Sequence, residues 1–212
     1  MKLKNYIRSI PDYPKKGILF RDITTLIKDA HAFEECINQI VERSKKYKID
    51  KIAAIESRGF VFASAVSYLL KKPFILLRKK NKLPAKTHSI DFELEYGKAT
   101  IEVHIDSIDK NDSILIIDDL IATGGTAEAA AKLVEISGGK IAAFVFAINL
   151  FDLGGCDKLI KNGYKIENLM DFPGHWYFLS TLYDEFFPII EFSKPSSLLI
   201  YLLFIFLLKV IV

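Results

Sequence analysis

Cysteine is nearly missing from this chain of 212 residues: there are two, Cys36 and Cys156. They lie far apart and fit no metal-ligand spacing, which speaks against a disulfide framework and for ordinary packing in a reducing compartment. Charge of one sign is missing too, since 29 Lys and Arg face 26 Asp and Glu for a net +3. Nucleic-acid binders concentrate basic residues on one face, so this balance argues against a nucleic-acid partner. The N-terminal MKLKNYIRSI lacks the apolar core of a signal peptide, so a cytoplasmic location is expected rather than secretion. Neither Gly-Lys-Ser/Thr nor G-x-G-x-x-G occurs, which argues against nucleoside-triphosphate and dinucleotide sites.

What is present is a chain that is 50% apolar, enough for a single core and one domain. One stretch stands apart. SLLIYLLFIFLLKVIV, Ser197 to Val212, carries Lys209 as its only charge. As a helix its apolar part would span about 22 Å, short of the roughly 30 Å hydrocarbon core of a bilayer. Two readings stand for it: a weak membrane contact through 197–212, or an extension without function. Residues 1–175 are therefore expected to form the working domain, and 176–212 an atypical hydrophobic extension.

Along the domain, residues 2–9 are expected to form a short helix before the turn-rich IPDYPKKG. Asp29 is placed to cap a helix running through about Tyr47, with Phe33, Ile37, Ile40 and Val41 on one face. IDKIAAIES, KPFILLRKK, ATIEVHI, SILIIDD, KIAAFVFAINL and YKIENLM read as strands. GFVFASAVSYLL, GGTAEAAAKLVEIS and DKLIKNG read as helices. NKLPAKTHSIDFELEYG is expected to be an irregular polar loop. Continuous apolar strands alternating with helices indicate an α/β fold, a mostly parallel sheet covered on both faces. Ligands in such sheets sit beyond the carboxyl ends of the strands. Three polar motifs fall there: Glu56 to Gly59, Arg78 to Lys82, and Asp118 to Thr126.

In Thr123-Gly124-Gly125-Thr126 the glycines permit a sharp turn that aims several N–H groups at one point, and the following helix adds partial positive charge. That suits a phosphate, although the turn taken alone is equally an ordinary strand-to-helix connection. Asp118 and Asp119 would repel a bare phosphate, so they need partners of their own. A ribose diol offers two hydroxyl donors, and a phosphorylated sugar satisfies both halves of the motif.

With these residues in view, IIDDLIATGGT (116–126) resembles the 5-phosphoribosyl-1-pyrophosphate (PRPP) motif of the type I phosphoribosyltransferases. PDYPKKGILFRDIT (11–24), ESRGF (56–60), LLRKKNKLP (76–84) and LEYG (94–97) extend the resemblance to the family's adenine-using branch. Order and spacing match over about residues 8–175. The resemblance implies a type I phosphoribosyltransferase fold, with a central sheet flanked by helices and a flexible catalytic loop. It implies transfer of the phosphoribosyl group from PRPP to adenine, giving AMP and pyrophosphate, a step of purine salvage.

Carried over residue by residue, the resemblance gives Asp118 and Asp119 the ribose hydroxyls. Ala122, Thr123, Gly124, Gly125 and Thr126 take the 5-phosphate. Ser57 and Arg58 form the pyrophosphate loop, where the family often has a cis peptide before the serine. Arg78, Lys79 and Lys82 stabilise the departing pyrophosphate, with Arg58 and Lys82 counted as catalytic. Whether Arg78 and Lys79 act in their own subunit or across a dimer interface stays open. Leu19, Phe20, Arg21 and Leu120 form the adenine slot. Glu95 matches the loop acid that manages the proton at purine N7. Magnesium is expected on the pyrophosphate and ribose oxygens, with no dedicated protein ligands, and a homodimer is expected. No catalytic part falls to His31, His88, His104 or His175. Two alternatives remain: transfer to another nucleobase, and a regulator that keeps the site to sense PRPP.

Overall fold

Both faces of the central strands are apolar, and this decides the architecture. The computed structural model describes residues 2–93 and 98–175. Of these, residues 2–93 and 98–174 belong to one compact unit. A short 3-10 helix, Leu3–Tyr6, leads into β1 (Arg8–Pro11) and β2 (Leu19–Asp22), an antiparallel pair that stands outside the main sheet. The helix expected over residues 2–9 is thus confined to one turn, because Arg8 onward finds a strand partner in β2.

The chain continues through α1 (Thr24–Ile27), α2 (Ala30–Ser44), β3 (Lys51–Ile55), α3 (Arg58–Leu70) and β4 (Phe74–Lys79). Asp29 caps α2, its Oδ1 accepting from the Ala32 N–H at 2.9 Å. Next come β5 (Thr87–Glu93), β6 (Lys98–His104), β7 (Ser113–Ile121) and α4 (Gly125–Ile136). β8 (Lys140–Leu150), the 3-10 turn Phe151–Leu153, α5 (Gly155–Lys161) and β9 (Ile166–Phe172) complete the unit.

The seven-stranded sheet has the order β5-β6-β4-β3-β7-β8-β9. The five strands from β4 to β9 in that order are parallel, and β5 and β6 add an antiparallel hairpin at the β4 edge. The hairpin corrects the sequence expectation for 81–97. Thr87–Glu93 is a regular strand paired along its length with β6, not an irregular loop.

Alternation within the central strands feeds two cores. Ile52, Ala54, Leu115 and Ile117 face α2 and α3 residues such as Ile40 and Phe62. Ala53, Ile55, Ile114 and Ile116 face Ala130 and Leu133 of α4 and Leu159 of α5. Burying each isoleucine of β7 contributes about 1.5–3 kcal/mol, so this strand is a rigid platform for whatever its carboxyl end carries. That end runs two residues beyond the SILIIDD reading, to Ile121, so Asp118 and Asp119 lie within β7 and not at its last position. Among the described residues, no helix is long and apolar enough to cross a membrane. The stretch 176–212 and Glu95 lie outside the described residues.

Candidate active site

The carboxyl ends of β3, β4 and β7, neighbours in the sheet, enclose a cavity of about 410 Å³. Ser57, Arg58, Lys79, Asp118, Asp119, Leu120 and the turn Ala122–Thr126 all line it. The structure therefore brings together most of the residues singled out for the phosphorylated sugar.

The two acids are held tightly. The Asp119 N–H donates to Asp118 Oδ1 at 2.9 Å, and Arg58 Nε lies 2.9 Å from Asp119 Oδ2. Gly59 makes this possible, since a Cβ there would sit 2.7 Å from Asp118 Oδ1 and 3.0 Å from the Ile117 carbonyl oxygen. Only a glycine lets the first turn of α3 approach β7 so closely. Burial, then the neighbouring Asp119, pushes the Asp118 carboxyl well above its ordinary value. Burial raises Asp119 as well, with the Arg58 guanidinium acting against it. In their ionised form the two adjacent carboxylates are acceptors only, so hydroxyl donors suit them.

Beside them the chain turns through Gly124 at φ +80° into α4. No side chain caps this helix, although Glu128 N–H already donates to the Gly124 carbonyl. The first-turn N–H groups at Gly125 to Ala127 point out of the helix end, where an anion meets both donors and dipole.

Opposite the turn, the Glu56–Ser57 peptide is cis, as the family resemblance led one to expect. Glu56 was assigned no part from the sequence, yet it organises this side. Its Oε2 accepts from Arg78 Nε at 3.1 Å and from the Lys79 N–H at 3.1 Å. Burial alone would raise the Glu56 carboxyl, but these two partners outweigh it and hold it below its ordinary value. The β3–α3 junction is thereby tied to the basic end of β4. Arg78 Nη1 also donates to the Lys82 carbonyl at 3.0 Å. Arg78 and the exposed Lys82 do not line the cavity in this conformation, whereas Lys79 does.

The residues expected for the base lie on β2, except Leu120. Leu19 is buried, and its N–H donates to the Gly174 carbonyl at 3.0 Å. The Phe20 ring meets Tyr13 edge-on, 5.1 Å between centroids. Arg21 is 7% exposed, donates to the Pro173 carbonyl at 2.9 Å and 3.3 Å, and stacks 4.6 Å from the Phe172 ring centre. Burial lowers its pKa to about 10, with Asp152 acting in the opposite direction. Its guanidinium is thus committed to the protein, and any contact with a base from this residue falls to its backbone. Leu19, Phe20 and Arg21 are not among the residues lining the cavity.

Residues 24–172 match the phosphoribosyl transferase domain. The chain is 88% identical over 175 residues to an adenine phosphoribosyltransferase of Pelagibacter ubique (strain HTCC1062), spanning 82% of this chain and 100% of that protein. The crystal structure of adenine phosphoribosyltransferase from Thermoanaerobacter pseudethanolicus ATCC 33223 is similar with a TM-score of 0.77 at 46% identity, over 80% of this chain and 98% of that one. A Giardia lamblia enzyme of the same name, complexed with 9-deazaadenine, is similar with a TM-score of 0.76 at 32% identity, over 80% and 96% of the two chains.

Proposed function

We infer the chemistry of the site from one premise: the chain belongs to the phosphoribosyltransferase family, in its adenine phosphoribosyltransferase branch. It transfers the 5-phosphoribosyl group of PRPP to adenine, forming AMP and pyrophosphate in purine salvage. The observation that carries this is the meeting of Asp118 and Asp119 with the uncapped start of α4 in one cavity. A phosphorylated ribose is the ligand that satisfies both.

In the proposed arrangement the 5-phosphate accepts hydrogen bonds from the backbone N–H groups of Ala122 to Thr126. The ribose hydroxyls donate to Asp118 and Asp119. Pyrophosphate lies against Ser57, Arg58 and Lys79, with Arg78 and Lys82 completing the cationic side. The bond from the anomeric carbon to pyrophosphate breaks as the bond to the base nitrogen forms. Cations then stabilise the leaving group, and the two carboxylates favour the positive charge developing on the sugar. Leu19, Phe20, Arg21 and Leu120 are proposed to hold adenine, and Glu95 to manage its proton.

Magnesium belongs to the same proposal. Among the described residues no cluster of three or more His, Cys, Asp or Glu forms a cage. The carboxylate oxygens of Asp118 and Asp119 line the cavity and would suit a magnesium ion brought in with PRPP. When bound, the ion would neutralise charge on the leaving pyrophosphate.

We also propose a cytoplasmic homodimer, supported by apolar groups exposed on α3 and β4: Val61, Leu69, Leu76 and Tyr68, the last 82% exposed. Residues 1–175 are proposed as the catalytic domain. The extension 176–212 is proposed to stand outside the chemistry, with a weak membrane contact through 197–212 as its open role.

Incubating the purified protein with PRPP and adenine, hypoxanthine, guanine or orotate in turn tests the reading. AMP and pyrophosphate should form with adenine alone; turnover of a 6-oxopurine but not adenine would overturn it.

A further inference from the structure

Asp152 and the Gly154-Gly155 pair, which carry the chain from β8 into the first residue of α5, take no part in the chemistry above, yet they touch both halves of the site. On one side Gly155 N–H donates to the Ala122 carbonyl at 3.0 Å, directly behind the phosphate turn. The approach is closer than any side chain permits. A Cβ at Gly155 would overlap the Ala122 carbonyl oxygen and lie 2.8 Å from Gly124 N and 2.9 Å from Ile121 Cγ1. Gly124 is confined in return, since a Cβ there would lie 3.0 Å from the Gly155 carbonyl oxygen.

On the other side Asp152 Oδ1 accepts from the Gly174 N–H at 2.6 Å. Gly174 packs closely against Leu153, as a Cβ would lie 2.8 Å from Leu153 Cδ1 and 3.2 Å from Asp152 Oδ1. Its carbonyl accepts from Leu19 N–H at 3.0 Å, at the start of the strand assigned to the base. Arg21, two residues along that strand, holds the adjoining Pro173 carbonyl and has Asp152 as its favourable charge.

With Leu153 and Gly154 joining Asp152 to Gly155 along the chain, these contacts form one series: phosphate turn, Gly155, Asp152, Gly174, Leu19. We propose that Gly155 and Asp152 are positioning residues, a brace that fixes the phosphate turn and the base strand in register. Neither contacts substrate. Gly155 acts through the Ala122 and Gly124 backbone, and Asp152 acts through Gly174 and Arg21. Transfer between two substrates depends on their mutual placement, and small displacements of a positioning element are costly in rate. The inference rests on the adenine and PRPP reading of the site.

Steady-state kinetics of Gly155→Ala, Asp152→Ala and Asp152→Asn, varying each substrate separately, test it. Gly155→Ala and Asp152→Ala should each lower kcat, measured with both substrates saturating, about tenfold or more, beyond any change in either KM. Asp152→Asn, which keeps the acceptor oxygen for Gly174, should recover part of kcat. Variants that melt cooperatively and keep the parent kcat, moving at most the KM of the substrate on their own side, would overturn the brace. Should Gly155→Ala not fold, the two Asp152 variants decide the matter by the same criteria. If the parent itself forms no AMP from adenine, the underlying reading falls and the brace with it. That result is distinct from a working parent matched by its variants.

Discussion

Arg58 Nε stands 2.9 Å from Asp119 Oδ2, joining the start of α3 to the end of β7 across the cavity. Asp119 is only 4% exposed, so Arg58 offsets the cost of burying that charge as well as facing the proposed pyrophosphate. Arg58→Ala should therefore reduce kcat/KM for PRPP by about 100-fold while KM for adenine holds. Steady-state kinetics check this, and parent-like values would detach Arg58 from the leaving group.

Asp118 should show a conflict between stability and function. Its carboxyl is raised above the ordinary 3.8 by burial and by Asp119. A raised acid stabilises the fold most below 3.8 and loses that contribution as pH rises through its folded value. Asp118→Asn should thus melt at or above the parent temperature at neutral pH, with the gap closing on acidification. Its kcat/KM for PRPP should nevertheless fall severely. Thermal melting across pH, beside kinetics, checks both halves.

Asp22 behaves in the opposite sense. Thr24 Oγ1 at 2.6 Å, the Arg8 guanidinium and the Thr24 N–H at 2.9 Å depress its carboxyl to about 2. Its contribution is therefore present above 3.8 and lost as pH falls through about 2. Asp22→Asn should cost about 1–2 kcal/mol at neutral pH, discounted because Arg8 is largely solvated. The deficit should vanish on acidification, as read by denaturant titration across that range. A pH-independent deficit would assign it to packing instead.

Glu95→Gln is expected to lower kcat more than it raises KM for PRPP, because its proposed task begins only at proton transfer. Equal loss in both constants would place it in binding.

Deleting 177–212 should leave adenine turnover intact, since every proposed site residue precedes the deletion. Fractionation of the full and shortened chains tests the membrane role. Membrane association unchanged by the deletion would exclude the extension as an anchor.

The parallel core was legible because burial on both faces writes uninterrupted apolar runs, as in Ile52–Ile55 and Ile114–Ile117. The Thr123–Thr126 turn was legible as a strand-to-helix junction because two glycines between threonines follow a strand and open a helix. β5 was missed: it lies at the sheet edge, where pairing with β6 supplies order that its polar sequence does not advertise. β1 was divided between an expected helix (Arg8, Ser9) and an expected turn (Ile10, Pro11) for a similar reason, since its pairing with β2 is its defining contact. Glu56 stayed silent because its partners Arg78 and Lys79 lie on another strand. The brace was hidden further still, as Arg21 and Pro173 meet across 152 positions of sequence. Local pattern reports burial and turns; it does not report which distant loops share an edge.

A crystal structure of the protein with AMP tests the central claim most directly. The ribose hydroxyls are expected on the Asp118 and Asp119 carboxylates and the phosphate on the N–H groups of Ala122 to Thr126. AMP bound with its phosphate away from that turn, or with its ribose turned from both acids, would contradict it.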